Sequence, residues 1–218
     1  MAEMDILTNK FHNVIKYVQS REQDAESNSA ALLIKTAELS ALKIYYRDIA
    51  ALIAAGHLEK VKQGYYRVVV LKESSGPSEA SVIASLYPDG VLCMYTALFY
   101  YSYSDRTPLS WDIAIDRDTS KARFKIDYPY VQPYYMEPVH LSYGITTAEF
   151  EDCQMRIFDR DRLICECIKN ENKMDRESYN KAIQGYVADS KKSITNLLSY
   201  AKKRNIAVRV KDRIGVWL

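Results

Sequence analysis

LIKTAELSALKIYYRDIAALIAAGHLEKVKQGYYRVVV, residues 33–70, is the stretch from which the rest of the chain is read. Thr36 stands where a cap would stand, ahead of a short helix carrying Leu39 and Leu42; Lys43 and Ile44 make a tight turn, and a second helix runs from Tyr45 to a stop signal at Gly56. On a 3.6-residue wheel Tyr45, Ile49, Leu52 and Ile53 share one side, and Arg47, Ala51 and Ala54 share the other. After Gly56, residues 58–62 alternate apolar with polar, Gln63-Gly64 makes a turn, and residues 65–71 return as a second strand. Two helices around a tight turn, then a hairpin bearing Lys60, Lys62 and Arg67, predict a winged helix-turn-helix. The same stretch also reads as a helical hairpin beside a small β-hairpin, packed for stability alone.

Charge placement favours the first reading. Between residues 28 and 72 the bases are Lys35, Lys43, Arg47, Lys60, Lys62, Arg67 and Lys72, against Glu38, Asp48 and Glu59. A local excess of cations suits a polyanionic duplex. Alanines on the outward side of the second helix let its backbone approach a groove while Arg47 reaches a base edge or a phosphate. The candidate DNA-contacting residues are therefore Thr36, Lys43, Tyr45, Tyr46, Arg47, Ala51, Lys60, Lys62, Gln63 and Arg67.

The chain has 218 residues, enough for a small domain of about 70 residues and a second of about 140. Its 48% hydrophobic and 27% charged residues are those of a globular protein, and a net charge of +2 requires that any basic surface be local. No run of about 18 apolar residues is present to span a bilayer, and MAEMDILTNK has acids where a secretory signal has bases, so the expected location is the cytoplasm, away from membranes. The four cysteines Cys93, Cys153, Cys165 and Cys167 suggest no disulfide framework, and His12, His57 and His140 are too scattered for zinc, so buried structural thiols are expected, with no metal and no cofactor.

Ahead of the helix-turn-helix, Ile6, Phe11, Val14, Ile15 and Val18 recur at helical spacing, and residues 19–28 read as the end of that helix with a solvated connection. KESSGPS, residues 72–78, predicts a boundary between a domain at 1–75 and a second at 76–218. Beyond it, residues 78–87 and 92–103 read as helices separated by the turn Pro88-Asp89-Gly90. Residues 111–116, 122–126, 131–136 and 139–146 read as short strands of a small sheet, prolines kept to its edges, and residues 159–169, 176–187 and 190–203 as helices. The fold class is thus α+β, a winged helix followed by a larger mixed domain. The tyrosines at 128, 130, 134, 135 and 143 suit half-buried strands or a binding surface.

Enzymatic constellations are thin. There is no P-loop, no GxGxxG and no nucleophile elbow. Asp112, Asp116 and Asp118 in WDIAIDRD have the strand spacing that a two-metal nucleotidyltransferase needs, but YSYSDRTPLS upstream lacks the glycine turn for a triphosphate, and a solvated strand end explains them as well. No enzyme activity is expected.

In the helix DRDRLICECIK, Arg162, Ile164, Cys165 and Glu166 match a pattern of Arg, two variable or apolar positions, then Cys-Asp or a near relative. With MDRESYNKAIQGYV, SITNLLSYAKK and VKDRIGVWL behind it, and KTAEL and LIAAGHLEKVKQGYYRV in front, the chain resembles the AbiEi family, the antitoxins of bacterial abortive-infection type IV toxin-antitoxin systems. Two positions depart from the pattern: Glu166 stands where Asp is more usual, and Lys43 where related winged helices often have Gly.

The resemblance implies an autorepressor of a toxin-antitoxin operon that also neutralises a nucleotidyltransferase-like toxin without a stable complex. The expected partner is promoter DNA with inverted repeats, met by a chain that is a monomer in solution, since neither terminal helix sustains coiled-coil heptads. A ligand-responsive winged-helix regulator without antitoxin activity is the alternative. For antitoxicity the candidate surface is Arg162, Lys191, Lys192, Lys202, Lys203 and Arg204. Extending a helix back to residue 190 turns Lys192 and Lys203 away from the apolar stripe Ile194, Leu197, Leu198 and Ala201, with Lys191 and Lys202 on one flank and Arg204 on the other. An ordinary solvated helix face with a cationic end is the other reading of these bases.

Overall fold

Val14 and Val18 are buried, with Phe11 and Ile15 partly buried beside them, so the stripe on α1 (Ala2–Asp24) forms one wall of a core. The computed structural model describes residues 2–24, 33–69, 78–151 and 153–215. It divides into two compact units, Met1–Pro88 with Lys125–Pro129 and Glu149–Gln154, and Asp89–Phe124 with Tyr130–Ala148 and Met155–Leu218. The connection expected at residues 25–28, Lys72 with most of the boundary segment KESSGPS, and the closing residues 216–218 lie outside the described residues.

In the first unit, β1 (Leu33–Lys35), α2 (Thr36–Ala41), α3 (Tyr46–Ala54), β2 (Leu58–Lys62) and β3 (Tyr65–Val68) follow α1. The strands form an antiparallel sheet in the order β1-β3-β2. Sequence reading missed β1, whose three residues are too few to show a period. Ile34, Leu39, Ile44, Ile49, Leu52, Leu58 and Val68 join Val14 and Val18 in one core, and the Phe11 ring stacks on His57 with centroids 4.1 Å apart. Then α4 (Glu79–Leu86) starts at Ser78, whose hydroxyl oxygen accepts from the Ser81 N–H at 3.2 Å.

The second sheet has the order β6-β5-β4-β8-β7, built from β4 (Val91–Leu92), β5 (Trp111–Asp116), β6 (Val131–Met136), β7 (Ile145–Phe150) and β8 (Cys153–Phe158). Strands β5 and β6 run parallel, and Pro133 lies on β6 at the sheet edge, where its missing N–H is tolerated. The helix expected over residues 92–103 is shorter. Val91 and Leu92 pair with β5, and α5 (Met94–Tyr100) begins only after the chain has left the sheet. Two expected strands are corrected as well: Lys121–Phe124 and Pro138–Leu141 are 3-10 turns, and β7 starts at Ile145. Strand β8 alternates buried Cys153, Met155 and Ile157 with exposed Gln154 and Arg156, a signal present in the sequence and passed over.

Helix α6 (Arg160–Lys169) is buried from Asp161 to Ile168, and α5, α7 (Arg176–Ala188), α8 (Ile194–Lys203) and α9 (Ala207–Ile214) pack on it. Its most costly inclusion is an ion network. Glu166 Oε1 lies 2.8 Å from Arg162 Nη2 and 2.6 Å from Arg204 Nε, and Glu166 Oε2 lies 2.8 Å from Arg204 Nη2. The Arg162 guanidinium sits 4.4 Å from the Tyr143 ring centroid and 4.8 Å from that of Phe158, and donates to the His140 carbonyl at 3.1 Å. Gly144, at φ +66°, makes room for it: an added Cβ would stand 2.7 Å from Arg162 Cβ. All four cysteines are buried and unpaired, and burial pushes the Cys165 thiol up to about 12.

Like Asp161, Asp112 is a further buried carboxylate. Its Oδ2 accepts from the Tyr95 N–H at 2.9 Å and caps α5 from β5, and its Oδ1 accepts from the Ser110 hydroxyl at 3.2 Å. Burial raises its carboxyl to about 6 against the pull of those two hydrogen bonds.

Glu166→Ala leaves Arg162 and Arg204 buried without their counter-ion and is expected to cost about 3 to 5 kcal/mol in urea denaturation; a loss under about 1 kcal/mol would mean that the arginines escape to water. Asp112 gives a pH signature. Its proton is held both folded and unfolded below about pH 4, and only in the folded state between there and about pH 6, so the stability it lends is full below the unfolded value and lost as pH rises through the folded one. Relative to wild type, Asp112→Asn should therefore gain on the order of 3 kcal/mol between about pH 4 and pH 7, and a difference that stays flat across that range excludes the raised carboxyl.

Candidate nucleic-acid interface

Helix α2 ends without glycine. Lys43 takes φ +59°, its N–H donates to the Ser40 carbonyl at 3.0 Å, and the Ile44 N–H donates to Leu39 at 2.9 Å. This pair of bonds is a Schellman closure. It fills the turn in which the sequence lacks the usual Gly. Helix α3 closes the same way on Gly56, with Gly56 N–H to Ile53 at 3.0 Å and His57 N–H to Leu52 at 2.9 Å.

The cap expected at Thr36 sits one residue earlier. Lys35 is the N-cap, its N–H donating to Glu38 Oε2 at 2.6 Å, while the Thr36 N–H donates to the Gly64 carbonyl at 2.9 Å and ties the start of α2 to the hairpin turn. Tyr45 N-caps α3 in extended conformation, its N–H donating to Asp48 Oδ2 at 3.0 Å. Being outside the helix, it leaves the wheel's buried side and is 60% exposed. Ile49 and Leu52 are the buried pair; Ile53, expected inward, is 38% exposed, and Ala51, expected outward, is partly buried.

The outward face of α3 therefore consists of Tyr46, 85% exposed, with Arg47, Ala50, Ile53 and Ala54. Thr36, Lys43, Lys60 and Gln63 are also exposed, and Lys62 is half-buried, its ammonium about 6.0 Å from the Tyr65 ring centroid. Arg67 is drawn aside, paired across the hairpin with Glu59.

The acids of this region are each matched. Lys10 lies 2.7 Å from Asp48 and Arg21 lies 3.1 Å from Glu38, while Glu59 has Arg67. The Lys10 bond and the Tyr45 N–H hold the Asp48 carboxyl below its ordinary range. Lys43, Arg47 and Lys60 have no ion-pair partner among the described residues. Sequence reading missed the two pairs from α1, because residues 38 and 17 positions apart carry no spacing signal.

Other singled-out residues fall elsewhere. Asp112 is buried at the α5 cap, Asp116 Oδ1 accepts from the Asp118 N–H at 2.9 Å, and Asp118 is exposed past the end of β5, so the three carboxylates do not converge. Among the described residues no group of three or more His, Cys, Asp or Glu is placed to hold a metal ion, and no helix is long and apolar enough to cross a membrane. The basic face placed on the last helices is corrected. Arg162 and Arg204 are inside the core; Lys191 and Lys192 precede α8, whose N-cap is Ser193, and Lys192 Nζ donates to the Val187 and Asp189 carbonyls at 2.8 and 3.1 Å. Only Lys202 and Lys203 remain on the helix, Lys203 with its ammonium 4.6 Å from the Tyr143 ring centroid. The chain matches no protein-family model and, significantly, no curated protein.

Lys43→Gly should relieve the left-handed residue and stabilise the chain by about 0.5 to 1 kcal/mol in thermal unfolding, and a destabilised variant would show that the Lys43 side chain contributes more than its backbone strain costs.

Proposed function

We propose that the first unit is a winged helix-turn-helix that binds duplex DNA, with α3 in the major groove and the β2–β3 hairpin on the backbone. The observation that carries this is the outward face of α3, where Arg47 stands with Ala50, Ala54, Tyr46 and Ile53, while Lys43 and Lys60 are exposed without an ion-pair partner among the described residues and the acids Asp48, Glu38 and Glu59 are matched by Lys10, Arg21 and Arg67. Such a face lets the helix backbone come close to base edges while cations meet phosphates. Tyr46 adds a flat, exposed side chain at the start of the helix.

The resemblance extends the proposal to a repressor of its own toxin-antitoxin operon that antagonises a nucleotidyltransferase-like toxin without a stable complex. Two copies of a monomeric chain meet on an inverted repeat, and neutralisation belongs to the second unit. The motif behind the resemblance, Arg162 with Cys165 and Glu166, forms that unit's core, so its role is to hold the unit together. Antitoxin contacts then fall to exposed residues such as Lys202 and Lys203.

The test is fluorescence anisotropy on the promoter of the chain's own operon and on random duplex, with co-expression of the adjacent gene as the toxicity assay. Arg47→Ala should lose about 1 to 3 kcal/mol on the promoter and much less on random DNA. Lys60→Ala should lose affinity on both and lower the slope of log K against log salt by about 1. Equal losses on the two duplexes for Arg47→Ala would make it a phosphate clamp, and the absence of any salt-dependent binding by the wild type would remove the DNA-binding reading.

A further inference from the structure

Within the second unit a cavity of about 400 Å³ opens beside the start of α5, the loop before β5, and β6. Tyr95, Tyr134, Pro108, Leu109 and the buried Asp112 are among the residues that line it. Its volume is that of a site for a small molecule or a single long side chain.

The charges around it are unequal in their pairing. Arg106, at the rim, is already engaged by Glu177 and, at 3.7 Å, by Asp175. Lys181 is engaged by Asp105 at 2.7 Å and by Glu177 at 3.1 Å. Asp112 has no cation among the described residues. Each of its oxygens holds one donor, the Tyr95 N–H on Oδ2 and the Ser110 hydroxyl on Oδ1, so each keeps a second acceptor position. Two acceptor positions on one buried carboxylate are what a forked, planar cation takes. An anionic ligand is disfavoured here, because Asp112 and Asp175 both line the cavity and its one basic residue, Arg106, is paired. Burial without a counter-ion also raises the Asp112 carboxyl to about 6, and a bound cation would relieve that penalty.

We propose that this cavity binds a guanidinium group, its fork on Asp112 and its alkyl stem against Tyr95, Tyr134, Pro108 and Leu109. The tyrosine rings add a cation–π surface, and the apolar rim covers the stem. The site stands apart from the DNA-binding reading and needs none of its residues.

Calorimetry on the full chain tests it, with agmatine as the probe, butylamine as a cation without the fork, and butylurea as paired N–H donors without the charge. Agmatine should bind saturably and more tightly than either. Asp112→Asn should weaken it at least about tenfold, as for other buried charge pairs. Because Asp112 also caps α5, Leu109→Trp is the second variant: Leu109 is 95% exposed, so the change fills the rim and leaves folding, followed by circular dichroism, intact. It should abolish agmatine binding. No saturation by about 10 mM agmatine, butylurea binding as well as agmatine, or unchanged binding in both variants overturns the proposal. A short blocked Gly-Arg-Gly peptide that displaces agmatine assigns the site to an arginine of a partner polypeptide, and a peptide that fails where agmatine succeeds assigns it to a free small molecule.

Discussion

A carboxylate shared by two arginines inside the protein is the constraint on which the second unit depends. Glu166 is fully buried, and it holds Arg162 from its own helix and Arg204 from the end of α8. Removing three charges from water is unfavourable unless geometry and further hydrogen bonds compensate. Compensation comes from several elements at once: the Tyr143 and Phe158 rings on Arg162, the His140 carbonyl, and Gly144, whose lack of a side chain admits the arginine. Nε and Nη1 of Arg162 have no hydrogen-bond partner among the described residues, and the Tyr143 and Phe158 rings lie against the guanidinium. The network thereby sets the registry of α8 on α6 and of the segment before β7 over both.

Helix α6 is buried on nearly every side, which is why DRDRLICECIK carries charge in a core position. Asp159 caps it by accepting from the Arg162 N–H at 2.7 Å, and Asp161 accepts from the Tyr186 hydroxyl and from the Ser193 N–H, both at 2.8 Å. Each polar group in the helix's first turn thus locks a different neighbour. Charges that read as surface in one dimension become the joints between helices.

The first unit uses charge in the opposite way. Lys10 and Arg21 reach from α1 to Asp48 and Glu38, each of which also accepts an N-cap N–H of α3 or α2. An acid that serves a helix start is stabilising there, because it meets both free N–H groups and the positive end of the helix dipole. Pairing it with a base from α1 lowers its repulsion toward a polyanion. The exposed face of α3 is left with Arg47 as its charge, beside Ala50, Ala54, Tyr46 and Ile53.

Periodicity and stop signals were enough to determine α1, α3, the β2–β3 hairpin, β5, β6 and the helices α6, α7 and α8, because each has an apolar repeat long enough to count or a turn signal at its end, whereas α9 was not read from the sequence. The turn at Lys43 was legible in place but not in geometry. Lys43, Ser102 and Asn205 all adopt positive φ at helix ends, closing the same pair of hydrogen bonds that Gly56 closes, and nothing in those residue types announces it. At the candidate interface, composition pointed to Arg47 and Lys60, whereas the tertiary structure decided that Tyr45 faces out, that Arg67 is held by Glu59, and that Asp48 and Glu38 are matched from α1. Arg162, Arg204 and Glu166 show the limit most plainly. Local sequence specifies which side of a helix a residue occupies, but whether that side meets water or a second helix 38 residues away depends on contacts that only the folded chain makes.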